Sequence, residues 1–71
     1  MEEMQDVEIR GNMIRLGQML QLAALAGSGA DAKEVLRAGA VTVNGEPEAR
    51  RGRQLHHGDV VAVGEKTVRV V

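Results

Sequence analysis

Seventy-one residues with nine Lys and Arg, ten Asp and Glu and a formal net charge of −1 are read as one small domain, residues 1–71, of a size that buries only about 60% of its unfolded surface and is too small for multidomain enzyme chemistry. No Cys is present, which excludes disulfides and thiolate zinc sites. Phe, Trp and Tyr are also absent, so aliphatic side chains must fill the core and no aromatic platform can stack bases, a contact of roughly 1–3 kcal/mol per base in single-strand binders.

The charge is unevenly spread. Glu2, Glu3, Asp6 and Glu8 precede any positive residue, whereas from Ile9 onward nine Lys and Arg face six acids. The first nine residues are acidic and contain no apolar run long enough for a signal peptide or a membrane span, so a cytoplasmic protein without membrane contact is expected. Val7 and Ile9 alternate with Asp6, Glu8 and Arg10, which predicts an edge strand over residues 6 to 10 that Gly11-Asn12 interrupts.

Leu16, Met19, Leu20, Ala23 and Ala26 fall on one face of a helix that begins between Met13 and Gly17 and is expected to stop at Gly27. Leu25 lies off that stripe and is expected to pack under the next turn. Ser28-Gly29-Ala30-Asp31 places a Ser three residues before an acid, a helix-start signature, and a second helix of about two turns follows from Ala30 to Ala38. Ala32, Val35 and Leu36 face inward in it, while Lys33 and Arg37, one turn apart, project from another side.

Gly39 ends that helix where positive φ is cheap, and the period then changes to two with Val41 and Val43. Asn44-Gly45 predicts a two-residue hairpin turn, and Pro47 a short strand at a sheet edge. Arg50-Arg51-Gly52-Arg53 reads as a loop and Gln54-Leu55 as an extended link. His57-Gly58-Asp59 is a turn before a final hairpin of Val60 to Val63 and Thr67 to Val71. Helices first and strands after give an α+β class, with two short helices packed on a small, mainly antiparallel sheet.

Lys33 and Arg37 alone could be a solvated helix face. Arg15 near the first helix start and Arg50, Arg51 and Arg53 beside a glycine add to them, and Arg outnumbers Lys seven to two. Guanidinium groups match phosphate geometry with paired N–H donors, so these six residues are the candidate phosphate contacts. Ser28 and Gly29 are first a helix cap and second a phosphate contact. His56 and His57 are adjacent in an extended segment and point to opposite faces, so they cannot grip one metal together; one of them could touch phosphate. No metal or other cofactor is expected. Ser28, the only Ser, is explained as a cap, so no nucleophile sits beside a base and no enzyme activity is expected.

Ile14-Arg15-Leu16-Gly17-Gln18-Met19-Leu20, Ser28 with Ala32-Lys33, Gly39-Ala40-Val41-Thr42-Val43-Asn44-Gly45 and Gly58-Asp59-Val60-Val61 together resemble the small RNA-binding domain named after ribosomal protein S-four, the alpha-L motif, from about Ile9 to Val63. The arginine tract and Ser28-Gly29 look most like its short stand-alone bacterial members, the YbcJ-like group. The resemblance implies that the two helices and adjoining loop face RNA, with Arg15, Lys33 and Arg37 in contact. It further implies a ribosome-associated monomer that binds structured RNA of ribosomal or transfer RNA type. Two positions depart from the family: Gly17 where many members carry an acid, and Gly29 where many carry an Arg. A second reading, a protein-interaction module such as a ubiquitin-like sulfur carrier, shares the Asn-Gly and Gly-Asp elements; such carriers end in Gly-Gly, whereas this chain ends Arg69-Val70-Val71.

Overall fold

A computed structural model describes residues 4–71. In chain order the elements are strand β1 (Met4–Val7), strand β2 (Ile14–Arg15), helix α1 (Leu16–Leu22), helix α2 (Gly29–Arg37), then strands β3 (Val41–Val43), β4 (Glu46–Pro47), β5 (Gln54–Leu55), β6 (Val60–Val63) and β7 (Lys66–Val70). Five strands form one sheet in the order β1-β7-β6-β3-β4, and β2 pairs separately with β5. The class is α+β. All pairs are antiparallel except β1 with β7, where Asp6 lies opposite Arg69 in a parallel register.

Alternation places Val41, Val43, Val61, Val68 and Val70 on the inner face, all at most 1% exposed. The helices contribute Leu16, Met19, Leu20, Ala32 and Leu36 to the same buried cluster, so neither short helix has to be stable alone. Asn44 (φ 53) and Gly45 (φ 85) are both left-handed, as a tight two-residue turn requires. Pro47 sits on the sheet's outer strand, where its missing N–H leaves no ladder bond unmade.

Two elements differ from the sequence expectation by more than one residue. The first strand spans Met4–Val7 rather than residues 6 to 10, because its partner is the last strand of the chain, and the pairing ends with Val71 donating to Val7 O and Ile9 donating to Val71 O. Helix α1 stops at Leu22, a turn before Gly27. Ala24 takes φ 58, and the N–H groups of Ala24 and Leu25 return to the carbonyls of Gln21 and Leu20 at 3.1 and 2.8 Å. This is a Schellman ending, and Leu25 packs half-buried against the core beneath it.

Candidate nucleic-acid interface

A helix leaves its first N–H groups without intrahelical partners. At α1 the arginine loop supplies them: Leu16 N–H donates to Arg53 O at 2.8 Å and Gly17 N–H to Arg51 O at 2.9 Å. Arg15 Nη1 donates to the carbonyl between them, Gly52 O, at 2.9 Å. Three successive loop carbonyls therefore turn toward the helix start. The loop is closed by Arg53 N–H donating to Arg50 O at 3.2 Å, and Arg50 and Arg51 are left exposed.

Beneath the loop lies Glu48, whose side chain is 8% exposed. Its Oε2 accepts from the backbone N–H groups of Ala49 and Arg50 and from Arg50 Nε. Its Oε1 accepts from Arg50 Nη2 at 3.1 Å and Arg53 Nη1 at 2.8 Å. Hydrogen bonds from the Arg50 side chain first, then from Arg53 and the Arg50 backbone, hold the Glu48 carboxyl well below the usual carboxylate range despite burial. The same contact raises Arg50. Two of the three loop arginines are therefore ion-paired to a buried carboxylate, where at least two of the three were expected to be free of buried partners.

Arg51 differs. Its side chain lies across Gly17, where a Cβ would stand 3.4 Å from Arg51 Cβ and 3.5 Å from Arg51 Nε, and its Nη2 is 3.9 Å from the equivalent point at Gly29. Gly17 and Gly29 are thus the two glycines that lie against this arginine. Among the described residues no carboxylate forms a salt bridge with Arg51.

The loop separates two surface depressions of about 390 Å³ each. Lys33, Arg37 and Arg51 line one, with Leu36 and Ala49. Arg15, Arg50 and Arg53 line the other, with Gly52 and Gln54. All six candidate cations thus meet at two adjoining hollows. Arg37 also approaches Glu34 at 3.8 Å, an exposed pair that holds it weakly. Strand β1 lies at the opposite edge of the sheet from β4, which leads into the loop, and there its one acid, Asp6, accepts from both Nε and Nη2 of Arg69.

The secondary candidates stand elsewhere. Ser28 Oγ accepts from Asp31 N–H at 3.1 Å as the cap of α2, and Asp31 in the first turn places negative charge where an anion would approach. His57 Nε2 lies 3.0 Å from Gly11 O. Neither histidine lines either hollow, and among the described residues no three His, Cys, Asp or Glu side chains come together as a metal group.

The Asn-Gly and Gly-Asp elements interlock. Asn44 Nδ2 donates to Asp59 Oδ1 at 3.0 Å, Asn44 Oδ1 accepts from Val60 N–H at 2.9 Å, and Asp59 Oδ2 accepts from His56 N–H at 2.8 Å. Burial pushes the Asp59 carboxyl up, but the hydrogen bonds from Asn44 and His56, with the charges of His56 and Arg53, outweigh it and hold it low. Asn44 and Asp59 thus staple the β3–β4 turn to the start of β6. Over residues 7–71, with these elements in place, the sequence matches the S4 domain family. The chain is an S4 domain.

It is 49% identical over 57 residues, 80% of each chain, to a Bacillus subtilis (strain 168) protein named probable ribosome maturation protein RlbA. It is also 43% identical over 54 residues to small ribosomal subunit protein uS4m of Schizosaccharomyces pombe (strain 972), covering 76% of this chain but 16% of that one. Within this S4 domain, sequence reasoning missed Glu48 and the contact of Gly17 with Arg51. An acid two residues before an arginine tract was the available signal for Glu48. Gly17 stood out only by its residue type, since its contact depends on a loop 34 residues away.

Proposed function

We propose that residues 1–71 act as one non-catalytic RNA-binding domain, a cytoplasmic monomer that binds structured RNA in a ribosome-related setting through phosphate and shape contacts. The observation that carries this reading is the convergence of Lys33 and Arg37 from α2 with Arg51 from the loop on one hollow, a fixed cationic cluster of the kind that attracts phosphate. Arg15 and the exposed guanidinium of Arg50 extend the cationic surface into the second hollow. Membership in the S4 family and the ribosomal names of two relatives support RNA as the polyanion. A sulfur-carrier role is disfavoured by that membership.

The test is the double substitution Lys33→Glu with Arg37→Glu, measured by titration against a folded ribosomal RNA fragment. Both side chains are exposed, so stability should change by no more than about 0.5 kcal/mol per site while affinity falls. Leu36, 2% exposed between them, is the control: Leu36→Ala should cost about 2–5 kcal/mol of stability. Unchanged affinity in the folded double variant would remove this helix face from the interface.

A further inference from the structure

The hollow between α2 and the arginine loop differs from its neighbour in its floor. Its accessible lining is largely apolar, with Ala49 and the aliphatic stems of Lys33, Arg37 and Arg51 closing over Leu36, which is 2% exposed. A surface that met only the backbone of a regular duplex would need cations and polar groups; an apolar floor has nothing to meet on a row of phosphates. A nucleotide swung out of a helix supplies both chemistries, with an apolar base face and a phosphate on either side. Bulges and loops are the places where RNA splays bases out for recognition, and an Arg guanidinium plane can stack on such a base in place of an aromatic ring. In a chain without Phe, Tyr or Trp, Arg51 is the residue placed for this. It lies against Gly17 and close to Gly29, and its own carbonyl is fixed by Gly17 N–H at 2.9 Å.

We propose that this hollow is a seat for a single unpaired nucleotide, so that the preferred ligand is a duplex RNA interrupted by a one-nucleotide bulge. The base rests on Ala49 and the aliphatic stems that close over Leu36, against the Arg51 guanidinium, and the flanking phosphates pair with Lys33 and Arg37. This rests on the RNA-binding reading above and adds a ligand class to it.

Three hairpins of the same stem decide it: fully paired, carrying one unpaired adenosine, and carrying one abasic nucleotide at the same place, which keeps the bulge's phosphates but removes the base. The adenosine bulge should bind at least about tenfold more tightly than the paired stem, the scale of one stacked base, and the abasic bulge should lose most of that gain. 2-Aminopurine in the bulge should change its fluorescence on binding. Ala49→Glu, at an exposed position, should abolish the preference for the bulge. Equal affinity for the three hairpins would overturn the nucleotide seat and leave the RNA-binding reading standing, as would equal affinity for the adenosine and abasic bulges. Failure of every hairpin to bind would overturn both.

Discussion

Arg53 Nη1 lies 2.8 Å from Oε1 of Glu48, a carboxylate with 8% of its side chain exposed. Arg53 is itself only 33% exposed in its side chain, whereas Arg50, the other partner of Glu48, is 76% exposed. Glu48 therefore folds the loop from below, and the loop carbonyls in turn close the start of α1. A contact within the arginine tract is thus as much a part of the fold as of any surface.

The ionisation of Glu48 makes that contact visible in acid. Its folded-state carboxyl titrates far below the ordinary 4.5, so the unfolded chain takes up the proton first. The stabilisation is fully present above about pH 4.5 and is lost as pH falls below it. Thermal unfolding followed by far-ultraviolet circular dichroism should show a midpoint that declines through this range. Glu48→Gln should start from a lower midpoint near neutrality and decline less steeply in acid, with the remaining slope owed in part to Asp59, which is also held low. Parallel acid profiles for the two proteins would show that Glu48 does not govern the loop.

Arg51 and Arg53 should separate cleanly by substitution. Arg53→Ala strips a close partner from a buried carboxylate, and breaking such a pair is strongly destabilising because the charge left behind is poorly compensated. Arg51→Ala removes an exposed guanidinium that forms no salt bridge among the described residues. The first variant should lose thermal stability, and the second should keep its midpoint while losing affinity for structured RNA. A loss of stability in Arg51→Ala equal to that in Arg53→Ala would assign Arg51 to the fold instead.

Much of the architecture was legible because it is written in local pattern. Period-two valines, Asn44-Gly45 and Ser28 with Asp31 each declare an element within a few residues. Helix ends expose the limit. Both helices finish in the same Schellman geometry: Gly39 and Ala40 donate to Leu36 and Val35 carbonyls, as Ala24 and Leu25 do at α1. Gly39 announces its ending; Ala24 conceals an identical one, because packing of Leu25 outweighs the cost of a left-handed alanine, about 1–2 kcal/mol. The proposed interface was legible as six candidate cations but not as two kinds of cation, since the pairing of Arg50 and Arg53 with Glu48 depends on a turn that residue spacing does not declare. Gly17 was legible only as a departure from the family, because its neighbour arrives from the far side of the sequence.

That concealed ending yields its own prediction. Ala24→Gly removes the Cβ strain at φ 58 and adds unfolded-state entropy worth about 0.4–1 kcal/mol in the other direction. The net effect should be a stabilisation of up to about 1 kcal/mol. Ala24→Val should destabilise, because a β-branched side chain tolerates this conformation least. Denaturant unfolding of the three proteins tests the order Gly, Ala, Val, and a reversed order would remove strain as the controlling factor.

The division of labour among the arginines also sets the salt response. Arg50 and Arg53 are drawn to Glu48 and Arg69 to Asp6, which leaves Arg15, Lys33, Arg37 and Arg51 as the principal proposed phosphate contacts. Each neutralised phosphate contributes about 0.7 to 0.9 to the slope of log affinity against log salt, so four contacts give a slope of about −2.8 to −3.6. Arg51→Ala should make it shallower by about one contact's share, roughly 0.7 to 0.9. With no aromatic side chain to stack on bases, a folded RNA that holds its phosphates at fixed spacing should bind more tightly than an unstructured strand of equal length. Titrations of a folded ribosomal or transfer RNA fragment and of such a strand, each at several salt concentrations, measure both quantities. A flat salt response or a preference for the loose strand would reject phosphate-and-shape recognition, because cations without an aromatic platform draw their affinity from phosphates and favour those held at fixed spacing.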